Sequence, residues 1–596
     1  MNQINIYSKH IIGAVLTMAN WSAAVAQTPI NVDQGANWTS TTRAQFYTQD
    51  QGSQLIPLKW YFSLKLANGT AFSANSLDRY GYLANPASPV AGLPVGFTTN
   101  VDKSGETYVG PTCSGCHTRQ ITVAGQPYRI DGGPAITDFQ ALLSDLDSAV
   151  TRLLGTTSVF DQFAVDVLGS TNNATTKAAL RSSVQNWYTP FHAIISGSLP
   201  TTAKWGAGRL DAVSMIFNRL SGLDVGTTAP YVIAENIRRA DAPVRYPFLW
   251  NSHIQDKTQW LGFADNGSPL LGLSRNLGEV YGVFGQLHPV KAATTPAAWD
   301  YLQTNSTNFS GLGKQETNLM KMGPPKWPFP LNATLVAAGK TVFYKKDTLH
   351  GNVSCDDCHG IKQGTPRVMG TTTFNTWATP VQDVGTDSRQ ANLATLQVKT
   401  GVMEGDTKPD GSKLMAVDSV LSLLQTAARN TIRQYLGSNP FPTLTQGGAS
   451  PPAVANAVAA NAVTTNAVAA NAVSPRDLAQ LGRNAPAVAS TLTSYAYESR
   501  VLQGIWAAAP YLHNGSVPTL ADLLNPVILR PLSFKVGPAY DTSRVGLAST
   551  QTKLNFTYLT TDCLLRNSGN SRCGHEYGTL FTSSEKTALL EYLKQL

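Results

Sequence analysis

The sequence predicts a mainly α-helical protein with long irregular loops and minor β-structure, and three observations lead there. The chain has 596 residues, too many for one ordinary domain, so two to four domains are expected. Only 14% of residues are charged, while 49 glycines and 34 prolines punctuate the chain, a balance that suits helices joined by extended connections. Several segments place apolar residues at three- and four-residue steps, the pattern of helices that bury one face. The formal net charge of +8 is modest for this length, and no basic run or basic amphipathic helix stands out, so nucleic acid is not an expected partner.

Taken in order, residues 1–26 read as a secretory signal peptide. Lys9 and His10 precede the apolar run Ile11–Ala19, and Ala24-Val25-Ala26 before Gln27 forms a small-x-small cleavage site. The run is too short for a stable anchor, and no other stretch of about 18 apolar residues occurs. The expectation is an exported protein, periplasmic or secreted, without a transmembrane anchor. Residues 27 to about 110 form a polar lead-in, in which Trp60–Leu66 alternates enough to be a strand or a packed extended segment.

Two pentapeptides then carry the chemistry: Cys113-Ser114-Gly115-Cys116-His117 and Cys355-Asp356-Asp357-Cys358-His359. Both read C-x-x-C-H, the attachment signature of c-type haem. Two residues between the thiols let both sulfurs reach across one porphyrin edge as thioethers, and the next residue, His, falls under the iron as proximal ligand. Two zinc half-sites are the bland alternative, but each motif carries its own His and the motifs lie far apart. The expected cofactors are therefore two covalently bound haem c groups, attached at Cys113, Cys116, Cys355 and Cys358, with His117 and His359 as iron ligands. The remaining cysteines, Cys563 and Cys573, sit ten residues apart and suit a disulfide in an oxidising compartment.

Between and beyond the motifs, helices are expected at 138–150, with Asp138 as N-cap and Phe139, Leu142, Leu143, Leu146 and Val150 on one face, at 205–220 behind a Gly-rich turn, and at 275–284. Ala242–Trp250 is a Pro-punctuated loop with large side chains. The Pro-rich joint 324–330 marks a domain boundary, giving an N-terminal haem domain over 27–330 and a C-terminal cytochrome c domain over 331–596. A helix at 335–344 leads into the second motif. The capping box Thr582-x-x-Glu585 opens a closing helix with Leu589, Leu590 and Leu593 on its stripe. Residues 449–475 are low complexity, with Asn-Ala-Val at 456, 461, 466 and 471, and read as a loop thrown out of the domain.

The axial ligands decide what each iron does. Beyond the two proximal residues, the exported chain has six histidines: His192, His253, His288, His350, His513 and His575. His575 stands out as sixth ligand of the second haem, because a Cys pair and two glycines would hold its loop rigidly. His513, in a tight turn before a helix start, is the alternative, and Met403 and Met415 are the thioether options. No His stands out for a sixth position at the first haem, which leaves that iron open to oxygen or peroxide. Trp250 and Trp260 are aromatic candidates for carrying electrons near the haems, against a plain packing role.

The two motifs, together with Ala508–Leu524, resemble the bacterial di-haem cytochrome c peroxidase superfamily, which includes the methylamine-utilisation di-haem enzyme and the rubber oxygenases. Ile130–Pro134, Trp205–Ala212, Pro247–Trp250 and Cys573–Gly578 look most like the rubber oxygenase branch. The resemblance covers most of residues 105–596 and leaves out the Asn-Ala-Val repeat. It implies two c-type cytochrome domains facing each other. The N-terminal haem, with His117 as its proximal ligand, would bind dioxygen, and the C-terminal haem, its iron held by His359 and His575, would serve electron transfer. It further implies that Trp250 lies between the haems and that a phenylalanine, here Phe263, stands over the oxygen site. The implied reaction is cleavage of the double bonds of poly(cis-1,4-isoprene) by O2, with one aldehyde and one ketone end. The alternative is a peroxidase that reduces H2O2 with electrons from a small donor protein. A pure electron carrier is the third reading. Whether a calcium ion (Ca2+) sits between the domains is left open.

Overall fold

A computed structural model describes residues 27–292, 299–438 and 495–596. The signal-peptide segment 1–26 and the Asn-Ala-Val repeat lie outside the described residues. Helices carry most of the regular structure, and the sheets are ribbons of two or three strands. Among the described residues, no helix is long and apolar enough to cross a membrane.

Three helices, Phe139–Gly155, Thr157–Leu168 and Ala174–Ser198, pack as a bundle at the N-terminal side. The first opens where the sequence predicts it: the Asp138 carboxylate accepts from Ala141 N at 2.9 Å, satisfying one of the free amides of the first turn. Leu142, Leu143 and Leu146 are fully buried, each contributing about 1.5–3 kcal/mol of apolar burial. Trp60–Leu66 is not a strand. Leu58–Ser63 forms a short helix, with Trp60 edge-on to Trp187 at 6.2 Å and to Phe163 at 6.4 Å. Packing of aromatic rings onto the bundle overrides the β-preference of Trp, Tyr and Phe.

The first C-x-x-C-H motif sits between two small sheets. Thr107–Pro111, paired with Phe97–Val101 and Ile56–Pro57, runs into the motif helix Cys113–Cys116. Thr118–Val123 leaves it and pairs with Gln126–Asp131, which pairs in parallel with Ile30–Asn31. Gly96 has φ +76, and a Cβ there would lie 1.9 Å from Gly115 N, so the strand and the motif helix meet through glycine.

The second motif follows the helix Ala333–Phe343, which packs along the closing helix Ser583–Gln595. Gly339 permits the approach, since a Cβ there would meet Ala588 O at 2.0 Å. Thr582 and Glu585 form the reciprocal capping box that opens the closing helix. One apolar cluster draws on both sides of the Pro-rich joint, from Val32, Ile121 and Ile130 to Phe343, Trp506 and Leu589. Trp327 in the joint meets Trp506 edge-on at 5.2 Å, and Trp506 Nε1 donates to Pro325 O at 2.9 Å. A further cluster joins Ala212–Arg219, Pro269–Gly282, Phe309–Leu319 and Val420–Ser438.

Candidate haem sites

The motif helix Cys113–Cys116 brings both thiols to one turn, and His117 N closes that turn on Cys113 O at 2.9 Å. Gln51 meets the first cysteine, with Nε2 3.2 Å from Cys113 Sγ and Oε1 accepting from Cys113 N at 3.3 Å. Burial pushes both thiols up to about 12. The His117 Nδ1 lies 2.8 Å from Pro247 O. A carbonyl can only accept, so Nδ1 carries the proton and the Nε2 lone pair is the one left to bind a metal. Burial lowers this imidazole to about 4, which keeps it neutral. Tyr246 meets the ring edge-on at 6.0 Å.

The second motif helix, Cys355–His359, is capped by Ser354, whose N–H and hydroxyl both meet Asp357. This motif lies nearer solvent, and burial pushes the Cys355 thiol up to about 11. His359 Nδ1 lies 2.7 Å from Arg500 O, again fixing the tautomer that leaves Nε2 free. The ring opposite is that of His575, with centroids 6.1 Å apart. Two imidazoles on one metal, each with a metal–nitrogen distance of about 2 Å and a ring centre about 1 Å further on, need about 6 Å. The pair therefore fits a metal held between two axial histidines.

The His575 loop is fixed by several independent contacts. His575 has φ 51, an uncommon conformation for a non-glycine residue, and its N–H donates to Val384 O at 2.8 Å. Arg530 lies beneath it: Nη1 donates to Arg572 O and Gly574 O, both at 2.7 Å, and Nη2 to His575 O at 3.1 Å. Cys563 and Cys573 are joined as a disulfide just before it. Burial, then the neighbouring His359, lowers His575 to about 3, and its Nδ1 is buried without a partner.

The other candidates lie elsewhere. His513 stacks on Tyr497 with ring centroids 3.7 Å apart and lies 6.3 Å from Trp260. Met403 is buried in the helical cluster, and Met415 is exposed. Trp260 Nε1 donates to Arg245 O at 3.1 Å, a packing role. Trp250 is fully buried next to the residues whose carbonyls hold the proximal histidines. It stacks on Phe248 at 4.7 Å and donates to Gln503 O at 2.7 Å. The four cysteines of the motifs form no disulfide, and among the described residues no group of three or more His, Cys, Asp or Glu side chains has metal-binding spacing.

Phe263 is half-buried and lines a cavity of about 130 Å³ with Val213, Ile216, Phe217, Leu271 and Leu421. The wall is mainly aliphatic and aromatic, and Gln259, Asp265, Ser274, Arg275, Gln425 and Arg429 add polar groups to it. Gln259 Nε2 donates to Glu279 Oε1 at 2.8 Å, and burial raises the Glu279 carboxyl. Arg275 donates to Asn266 Oδ1 at 2.6 Å and pairs with Glu316. Beyond burial, Glu279 raises the Cys113 thiol and Arg275 lowers it, so these two side chains lie beside the first motif. His253, whose Nδ1 is buried without a partner, is also close to Glu316 and Arg275.

A family model described as RoxA-like, cytochrome c-like matches residues 496–535. That stretch contains Arg500, His513 and Arg530. Over nearly the whole chain, the sequence is 28% identical to an uncharacterised protein, y4iJ, of Sinorhizobium fredii, covering 94% of this chain and 92% of the relative. A second uncharacterised protein of that organism, y4iM, is 44% identical over 72 residues, 12% of this chain and 16% of the relative. The family match supports the RoxA-like group at the level of its cytochrome c domain, and with it covalent haem c and an oxidoreductase.

Proposed function

We propose that the chain is an exported di-haem oxygenase that cleaves the double bonds of an apolar polyene, poly(cis-1,4-isoprene), with O2 at the first motif. The observation that carries this reading is the difference between the proximal histidines. His359 faces a second imidazole at 6.1 Å, whereas among the described residues the one ring packed against His117 is Tyr246. In this reading Cys113, Cys116, Cys355 and Cys358 attach two haem c groups, His117 is the sole protein ligand of the first, and His359 with His575 holds the second. When bound, the haems supply an iron that can activate oxygen and a second that passes single electrons.

The chain's own residues do the rest. The Pro247 and Arg500 carbonyls hold the proximal imidazoles in one tautomer and one orientation. The cavity beside Phe263 would take a hydrocarbon segment, because its mainly apolar wall would gain from burying isoprene units. Trp250, packed against Phe248 and donating to Gln503 O, is the aromatic group that would lie between the haems. Both oxygen atoms end in the products, one as an aldehyde and one as a ketone.

One observation favours the peroxidase reading. The half-buried Glu279 carboxyl, raised by burial and accepting from Gln259 Nε2 at 2.8 Å, would be the candidate proton donor beside the first motif. A peroxidase would use it on H2O2 and draw electrons from a small donor protein. Oxygen uptake on adding polyisoprene latex to the holoprotein, with neither peroxide nor donor, separates the two. Uptake with carbonyl products is expected, and peroxide turnover without uptake would contradict the oxygenase reading.

A further inference from the structure

The proximal imidazoles of the two motifs, 242 residues apart in sequence, are tied to each other through one side chain. Arg500 accepts at its backbone carbonyl from His359 Nδ1, at 2.7 Å. Its guanidinium reaches the other way: Nη1 donates to Phe248 O at 2.5 Å, and Nη2 to Gln255 Oε1 at 2.7 Å. Phe248 follows Pro247, whose carbonyl accepts from His117 Nδ1 at 2.8 Å. The peptide between Phe248 and Leu249 is pinned at both ends, its carbonyl by Arg500 and its N–H by Gly132 O at 2.8 Å. The Pro247 carbonyl shares its peptide plane with the Phe248 N–H, and the next peptide along the chain is the one pinned at both ends. The direction of that carbonyl therefore depends on the neighbouring peptide that Arg500 holds.

We propose that Arg500 is a positioning residue that sets the orientation of both proximal histidines, so that the two iron ligands behave as one hydrogen-bonded unit. This rests on the reading that both motifs carry haem. The side chain suits the task. It is almost fully buried, lies over the Phe248 ring at 4.6 Å, and is held by Glu498, whose Oε1 is 3.0 Å from its Nε. A planar fork can serve the Phe248 carbonyl and the Gln255 amide at fixed angles, which the single ammonium of a lysine cannot. A side chain that merely cross-linked two loops would change stability when altered. A positioning side chain changes the metal–ligand signals of both sites, because the second donor of each imidazole sets its orientation and basicity.

The test compares the holoprotein with Arg500→Lys, which keeps the charge, and Gln255→Leu, which keeps Arg500 but frees one of its donors. Mass spectrometry first establishes two covalent haems per chain. A wild-type chain with fewer would refute the haem reading rather than the role of Arg500. Two signals are then read: the iron–imidazole stretch of the reduced first haem, by resonance Raman, and the g-values of the oxidised second haem, by electron paramagnetic resonance. Both are expected to shift in Arg500→Lys, and both to shift less and in the same direction in Gln255→Leu. A change confined to one haem, or to neither, overturns the proposal. If Arg500→Lys yields no haem-loaded protein, Gln255→Leu decides alone by the same criterion.

Discussion

The two C-x-x-C-H motifs share a pattern and differ in almost everything around it. The first lies between two small sheets, and among the described residues the ring packed against its histidine is Tyr246 rather than a second imidazole, with a largely apolar cavity and the Gln259–Glu279 pair beside it. The second lies nearer solvent on a helix capped by Ser354, and a separate loop brings His575 to face its histidine. That loop is held by a disulfide and by the Arg530 guanidinium under three carbonyls, with a positive φ at His575. The motif chooses the cofactor, and the surroundings choose its job. Filling both axial positions suits electron transfer, and leaving one open suits chemistry on a small molecule.

The most damaging change should be at the open site. His117→Ala removes the residue read as its protein ligand and is expected to abolish oxygen uptake on polyisoprene, while the second haem stays low-spin. Uptake that persists would mean that another residue holds the reactive iron. Next in size, His575→Ala should erase the contrast itself. The second haem becomes high-spin, read by optical and paramagnetic resonance spectra, while mass spectrometry still shows two attached haems. A second haem that stays low-spin removes His575 as its ligand.

A smaller effect is expected from the disulfide. The Cys563–Cys573 bridge closes a ten-residue loop. Replacing both cysteines with serine should cost roughly 2–3 kcal/mol in urea unfolding. It should also broaden the second haem's signal and leave the first unchanged. The smallest spectral effect should come from His513→Gln, which leaves the second haem low-spin because His513 stacks on Tyr497. Its mark is on acid stability. Burial lowers His513 to about 3, so the unfolded chain takes up a proton below its ordinary value of about 6.5 and the folded chain does not. Stability from this source is intact above about 6.5 and falls as pH drops towards 3. The variant should lose less stability than wild type between pH 7 and pH 5, by urea midpoint.

Much of this contrast was legible in the sequence, and what escaped has a common cause. The motifs, the Asp138 cap and the Thr582 box are local patterns, so spacing reveals them. His575 stood out because a cysteine pair and two glycines flank it. Arg500 and Arg530 were not legible. Arg500 works through contacts with Phe248 and Gln255, about 250 residues away, and an isolated arginine in a loop has no periodicity to betray it. The cavity beside Phe263 is assembled from Ala212–Arg219, Pro269–Gly282 and Val420–Ser438, whose apolar stripes look alike whether they fill a core or leave a gap. At Trp60–Leu66 the alternation misled, because contacts with Trp187 and Phe163 decide the local structure.

Carbon monoxide titration of the reduced holoprotein tests the central asymmetry most directly, since the ligand enters only an iron with an open axial position. One equivalent per chain, bound at the first haem while the second stays six-coordinate, is the predicted result. Binding at both haems, or at neither, would contradict the account.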